Sequence, residues 1–206
     1  RLAKSVEKMG LHHAFITMVN RDDLDDGGSK ILANTVHAIR RLVPDCSVEL
    51  LSSDMMGKES SIETIVESKP DILGHNFETV RSLTPRIRSR SDYDRSLSFL
   101  RIAKELDPEC ITKSSMMLGL GETFDEILES MDDLRENRVD MINIGQYLQP
   151  SSTNAPVERY WHPEEFARLK SEALKRGFIH CESGPMVRSS YHAEDQYDAL
   201  KEMKTT

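Results

Sequence analysis

Residues 111–147 read ITKSSMMLGLGETFDEILESMDDLRENRVDMINIGQY, and the fold class follows from how this stretch divides. Ile111–Leu118 is an apolar, β-branched run. Gly119-Leu120-Gly121-Glu122 interrupts it, Thr123–Asn137 carries helical spacing, and Val139–Ile144 is apolar again. Strand, turn, helix and strand in this order make a parallel β/α unit, because a parallel pair needs a crossover helix. The same alternation extends in both directions. Further strands are expected at His13–Val19, Val48–Ser52, Asp71–His75 and Phe178–Cys181, with helices near Ser29–Leu42, Ser61–Ser68, Asp92–Leu106 and Pro163–Arg176. Lys69-Pro70 and Asp107-Pro108 end helices and lead into strands. The longest irregular stretch is Gln146–Tyr160, where Pro150 and Pro156 prevent a helix.

Composition bounds the function. The chain has 206 residues, 38% apolar and 30% charged, enough for one sizeable core. With 27 Lys+Arg against 35 Asp+Glu, its net charge is −8, which argues against binding nucleic acid or anionic membrane. No apolar run approaches the roughly 18 residues of a membrane span. Cys46, Cys110 and Cys181 are too few and too scattered for a disulfide framework or a zinc knuckle, so a reducing, cytoplasmic setting is expected. Arg1–Met9 reads as the middle of a helix, which leads us to expect a piece of a longer protein.

The strand ends carry the chemistry. The first runs into Asn20-Arg21-Asp22-Asp23 and Asp25-Asp26-Gly27-Gly28, and the second ends Ser52-Ser53-Asp54. The third ends His75-Asn76 followed by Glu78, the fourth carries Lys113 and ends Gly119–Glu122, and the fifth ends Gly145-Gln146-Tyr147. Five consecutive strands delivering charged or amide groups to one rim favour a barrel mouth, where such folds build their active sites. Two of these motifs have plainer readings. The acidic run before Ser29 suits helix capping as well as a cation or an amino group. Gly119-Leu120-Gly121-Glu122 suits a tight turn as well as a phosphate cradle, and it lacks the rest of a dinucleotide or P-loop fingerprint. His12-His13 and His75 have no partners at metal-ligand spacing, and Ser114-Ser115 and Ser189-Ser190 lack a nucleophile elbow. Ser183–His192 combines Gly and Pro with polar groups and an Arg, as an ordered loop near a site does.

Taken in order, several motifs resemble the lipoyl synthases. They are Arg21-Asp22-Asp23-Leu24 with Asp26-Gly27-Gly28, His75-Asn76-Phe77-Glu78-Thr79-Val80, and Thr112-Lys113-Ser114 with Gly119-Leu120-Gly121-Glu122. Gly145-Gln146-Tyr147-Leu148-Gln149-Pro150, His162-Pro163-Glu164-Glu165-Phe166 and Ser183-Gly184-Pro185 through Arg188-Ser189-Ser190-Tyr191 complete the series. The resemblance implies a radical S-adenosylmethionine enzyme with a partial (β/α)6 TIM-like barrel. It implies two [4Fe–4S] clusters. One cleaves S-adenosylmethionine to a 5′-deoxyadenosyl radical; the other is consumed as the sulfur source for C6 and C8 of a protein-bound octanoyl chain. The implied partners are an octanoylated lipoyl-carrier domain or the H protein of the glycine cleavage system, and an electron donor such as ferredoxin or flavodoxin. A eukaryotic source would shift the compartment to mitochondrion or plastid.

Carried onto this chain, the resemblance makes Ser190 the ligand to the auxiliary iron, with Ser189 the second choice. It places Asp22 and Asp23 at the amino group of S-adenosylmethionine, and Asn76, Glu78, Lys113 and Gln146 at the same ligand, with Leu148 near its adenine. Both cysteine triads of the family and the first barrel strand lie upstream of Arg1. Residues 1–150 are then the barrel, strands 2 to 6, and 151–206 a C-terminal extension with the Arg-Ser-Ser-Tyr motif. The segment by itself is expected to be catalytically incomplete, with His13–Val19 an exposed edge prone to aggregation. Two rival readings are a degenerate paralogue that binds S-adenosylmethionine or a carrier domain without chemistry, and a barrel aldolase using Lys113 as a Schiff base.

Overall fold

The computed structural model describes residues 1–197. Its elements run α1 (Leu2–Met9), β1 (His13–Thr17), α2 (Ser29–Leu42), β2 (Ser47–Leu51), a short 3-10 turn (Met55–Gly57), α3 (Glu59–Glu67) and β3 (Ile72–Gly74). They continue with α4 (Thr84–Ile87), α5 (Tyr93–Leu106), β4 (Ile111–Leu118), α6 (Phe124–Glu136), β5 (Met141–Gln146), α7 (Pro163–Lys175) and β6 (His180–Gly184). The chain divides into two compact units. One holds Arg1–Gly74, Ile102–Ile111 and the residues from His192; the other holds His75–Arg101 and Thr112–Tyr191.

In the first unit β1, β2 and β3 are parallel neighbours in chain order. Val48 and Leu50 of β2 are fully buried, as are Val36 and Ile39 of α2 and Ile62 and Ile65 of α3. Each such side chain contributes about 1.5–3 kcal/mol. The opposite face of these strands is polar yet buried: His13 Nδ1 lies 2.8 Å from Ser47 Oγ, and His13 Nε2 lies 3.7 Å from Glu49. Gly10, at φ 63°, closes α1 in the left-handed conformation that glycine adopts without strain.

In the second unit β4, β5 and β6 are parallel neighbours, with register Lys113↔Met141↔His180 and Ser115↔Asn143↔Glu182. Residues 75–78 run along the other side of β4: His75 N–H donates to Lys113 O, Glu78 N–H to Ser115 O, and Met117 N–H to Glu78 O. Capping boxes start two helices of this unit, Thr123 with Glu126 at α6 and His162 with Glu165 at α7.

The α/β alternation expected from the sequence is present, with β4 and α2 at their expected bounds. Two strands sit further along the chain. β5 is Met141–Gln146 rather than 139–144, and β6 is His180–Gly184 rather than 178–181. The parallel ladder carries pairing on to Gly145↔Gly184, through Glu182 and Ser183, whose polarity reads as loop in a one-dimensional pattern.

Candidate functional site

The site of the second unit grows from consecutive rows of the β4-β5-β6 ladder. Side chains two residues apart share a face, so Ser115, Asn143 and Glu182 form one row and Met117, Gly145 and Gly184 the next. Gly145 is needed at its place. A Cβ there would lie 2.0 Å from the carbonyl oxygen of Val187, so only glycine lets the segment after β6 cross β5. Asn143, beside it, donates from Nδ2 to Arg188 O at 3.0 Å and to Ser189 O at 3.2 Å. Tyr191 N–H closes the turn onto Arg188 O at 2.9 Å, which puts Ser189 and Ser190 at its corner.

On the other flank, residues 147–161 loop out and return. Gln146 Nε2 donates to Arg159 O at 3.1 Å, and Gln146 Oε1 accepts from Trp161 N–H at 3.0 Å. Trp161 Nε1 donates to Glu122 Oε1 at 2.8 Å. The Glu122 carboxylate also accepts from Gly119 N–H at 2.6 Å and Leu120 N–H at 2.9 Å. Two donors of the suspected phosphate cradle, Gly119 N–H and Leu120 N–H, are therefore occupied from within: the glycine turn wraps its own glutamate. Gly119 has φ 103°, and a Cβ there would meet Gln146 and Arg159 O within 2.4 Å. The turn is a close-packing device.

Between these walls lies a cavity of about 600 Å³. Asn76, Glu78, Ser115, Asn143, Gln146 and Ser189 supply its polar lining; Met116, Met117, Leu148, Met186 and Val187 supply apolar surface. Glu78 sits at φ 71°, a strained conformation for a non-glycine residue, which aims it from the 75–78 segment. Burial raises its carboxyl pKa, opposed by the Arg88 guanidinium at 3.3 Å and the Asn76 amide at 3.5 Å. A half-buried carboxylate, amides and thioethers in one concave space suit a ligand with hydroxyl or amino groups on an apolar body.

Of the residues singled out from sequence, Asn76, Glu78, Gln146 and Leu148 line this cavity. Gln146 does so while its amide is engaged in tethering the loop. Lys113 lies two residues before Ser115 on β4, is buried, and does not line the cavity. Ser190 is exposed, one residue past the Ser189 that lines the wall. Asp22 and Asp23 belong to the first unit, where Asp23 accepts two hydrogen bonds from Arg21, and Asp26 accepts from Gly28 N–H at 3.0 Å and Lys30 N–H at 3.4 Å at the start of α2. Asn143 escaped the sequence reading, and Ser115 and Gly145 entered it only within longer motifs, with no place of their own in the site. The available signal was an Asn and a Gly spaced by two inside an otherwise apolar strand.

A family model described as the radical SAM superfamily matches residues 1–134. The lipoyl synthase of Halalkalibacterium halodurans is 60% identical over 196 residues, which is 95% of this chain and 65% of that protein. The lipoyl synthase of Bacillus cytotoxicus is 57% identical over 202 residues, 98% of this chain and 68% of that protein. The chain belongs to the lipoyl synthase family. It spans about two thirds of the length of these curated family members. Solved structures agree on the fold: methylornithine synthase (PylB) superposes with a TM-score of 0.66 at 14% identity, over 88% of this chain and 60% of that one. Streptococcus suis SuiB bound to S-adenosylmethionine gives 0.66 at 14%, over 87% and 41%. The parallel α/β fold is thus that of radical SAM enzymes, consistent with a partial TIM-like barrel.

The three thiols do not fit an iron–sulfur cluster. Cys46, Cys110 and Cys181 are buried and dispersed, and burial pushes the Cys46 thiol up and the Cys181 thiol up to about 12. Cluster ligation needs converging thiolates. Among the described residues no three His, Cys, Asp or Glu side chains gather as a metal site. Nor is any described helix long and apolar enough to cross a membrane.

Proposed function

We propose that this chain forms part of a lipoyl synthase that uses S-adenosylmethionine to insert two sulfur atoms at C6 and C8 of a protein-bound octanoyl chain. One observation carries the reading: in a member of this family, the Arg188–Tyr191 turn is seated on β5 as a wall of the cavity at the strand ends. When bound, S-adenosylmethionine and a reduced [4Fe–4S] cluster supply the radical chemistry that an unactivated C–H bond requires.

The chain's own residues bind, orient and exclude water. Glu78 and Asn76 are the polar pair for hydroxyl groups of the adenosyl portion, and Leu148 gives its base an apolar surface. Gln146, by tethering the 147–161 loop, keeps that surface in place. Asp22 and Asp23 are assigned to the amino group, and Lys113, buried on β4, to the same ligand. Ser190 is the one oxygen donor proposed for an auxiliary cluster, a harder ligand than thiolate. The other ligands of the two clusters are assigned to residues outside those described, and no thiol of this chain takes part in the chemistry. The division into a barrel portion, 1–150, and an extension, 151–206, belongs to the same proposal; residues 198–206 lie outside the described structure. The acyl substrate is presented by a lipoyl-carrier domain or H protein, and electrons come from ferredoxin or flavodoxin. A cytoplasmic location is part of this reading.

The test uses the full-length protein, reconstituted anaerobically with iron and sulfide and given S-adenosylmethionine, dithionite and an octanoyl-lysine peptide. 5′-Deoxyadenosine and dithiolated peptide are expected from the unmodified protein; Ser190→Ala is expected to keep S-adenosylmethionine cleavage and lose sulfur insertion about 10–100-fold, on the scale of a lost metal-site partner. Binding of S-adenosylmethionine without cleavage would make the protein a non-catalytic paralogue. Undiminished sulfur insertion by Ser190→Ala would remove that serine from the chemistry.

A further inference from the structure

Asn143 is an anomaly within β5. It is 1% exposed, its neighbours in the strand are Met141, Ile142, Ile144 and a glycine, with Gln146 the only other polar residue and at the strand's open end, and asparagine is disfavoured in strands. A buried amide is tolerable when all its groups are bonded. Here only one side is: Nδ2 serves two carbonyls while Oδ1 has no hydrogen-bond partner. The reverse orientation of the amide would set Oδ1 against both carbonyl oxygens, so the assignment is forced. A residue that leaves a buried acceptor without a partner at the cavity wall is poorly explained by folding stability.

What it holds explains it better. The two carbonyls belong to consecutive residues, Arg188 and Ser189, and both residues line the cavity. One of them, Arg188 O, also accepts the Tyr191 N–H that closes the turn. Gly145, two residues along the same face, removes the Cβ that would push Val187 away. The pair acts jointly: glycine admits the segment and the amide grips it. We propose that Asn143 is a positioning residue, whose amide fastens the Arg188–Tyr191 turn to β5 and thereby sets both the cavity wall and the place of Ser190.

This rests, for its ligand, on the reading of the cavity as an S-adenosylmethionine site. The test compares Asn143→Val with Asn143→Thr in the full-length protein. The two replacements have nearly the same shape and suit a strand, but only threonine has a donor, a hydroxyl one bond nearer the main chain than Nδ2 that regains one carbonyl as the turn settles onto it. Two readouts are taken: hydrogen exchange of the amides of residues 188–191, and calorimetric affinity for S-adenosylhomocysteine. Asn143→Val is expected to speed exchange and weaken the affinity by about tenfold or more each, as the loss of two net hydrogen bonds implies. Asn143→Thr is expected to stay within about threefold of the unmodified protein, having kept one bond. Wild-type exchange in Asn143→Val overturns the proposal. Equal loss in both variants also overturns it, because volume and not the donor would then hold the turn. Should S-adenosylhomocysteine bind none of the three proteins, the cavity reading fails, and the exchange rates alone decide for or against Asn143.

Discussion

Replacing Glu122 by glutamine tests whether a carboxylate organises the strand-end turn. The side chain is 7% exposed and accepts three N–H groups, from Gly119 and Trp161 on Oε1 and from Leu120 on Oε2. An amide in the same place keeps an oxygen for the first two, now without charge assistance, and turns an NH2 towards the Leu120 N–H. Losing charge assistance twice costs roughly 0.5–1 kcal/mol each, and stranding one buried donor costs about 1–3 kcal/mol, so the sum is roughly 2–4 kcal/mol after partial relaxation. For a chain of this size about 2–4 °C is lost per kcal/mol, which predicts a fall in Tm of roughly 4–16 °C. Trp161 is the only tryptophan in the sequence, so its fluorescence reports the site directly. Its indole N–H lies on the mutated group and its ring stacks against Phe124, with Arg159 over its face at 4.2 Å. Thermal and urea unfolding of Glu122→Gln, followed at this emission, should show the lower midpoint and a red-shifted native spectrum. A midpoint within about 1 °C of the parent with unchanged emission, on that same scale, would refute the idea that Glu122 holds the turn.

Two further outcomes follow from the same geometry. Gly145→Ala places a methyl against Val187 O, and since both atoms sit on backbone it should cost about 1–3 kcal/mol and displace residues 185–191, visible as faster hydrogen exchange there with β4 unaffected. His180 has its pKa lowered from 6.5, first by burial, with Glu182 at 3.1 Å working the other way. A histidine whose folded pKa is depressed gives its full stability above the unfolded value and loses it as pH falls from about 6.5 towards the folded pKa. Urea midpoints between pH 7.5 and 5 should therefore fall less steeply for His180→Asn than for the parent, and parallel curves would show that burial of His180 does not matter.

How far the sequence could be read is seen at particular residues. Alternation of β-branched runs with amphipathic helices placed β4 and α2 at their true bounds, because a buried parallel strand is apolar on both faces and announces itself. β6 was drawn short, since Glu182 and Ser183 are strand residues only by virtue of pairing with Asn143 and Ile144. Asn76, Glu78 and Gln146 could be singled out because strand ends carry polar groups towards a ligand in this kind of fold, and Leu148 only through the family resemblance; the structure shows all four lining one cavity. Glu122 read equally well as part of a phosphate cradle or of a tight turn, and nothing in its spacing separates the two.

The amino-acid order alone thus determined the β/α repeat, the family and the strand ends at which to look, since these depend on short-range periodicity and local motifs. The tertiary structure decided who touches whom across distance. That Glu122 reaches Trp161, that Gly145 leaves space for Val187, and that Asn143 grips Arg188 and Ser189 all depend on residues tens of positions apart. Such contacts are set by register and loop return, and a one-dimensional pattern has no coordinate for either.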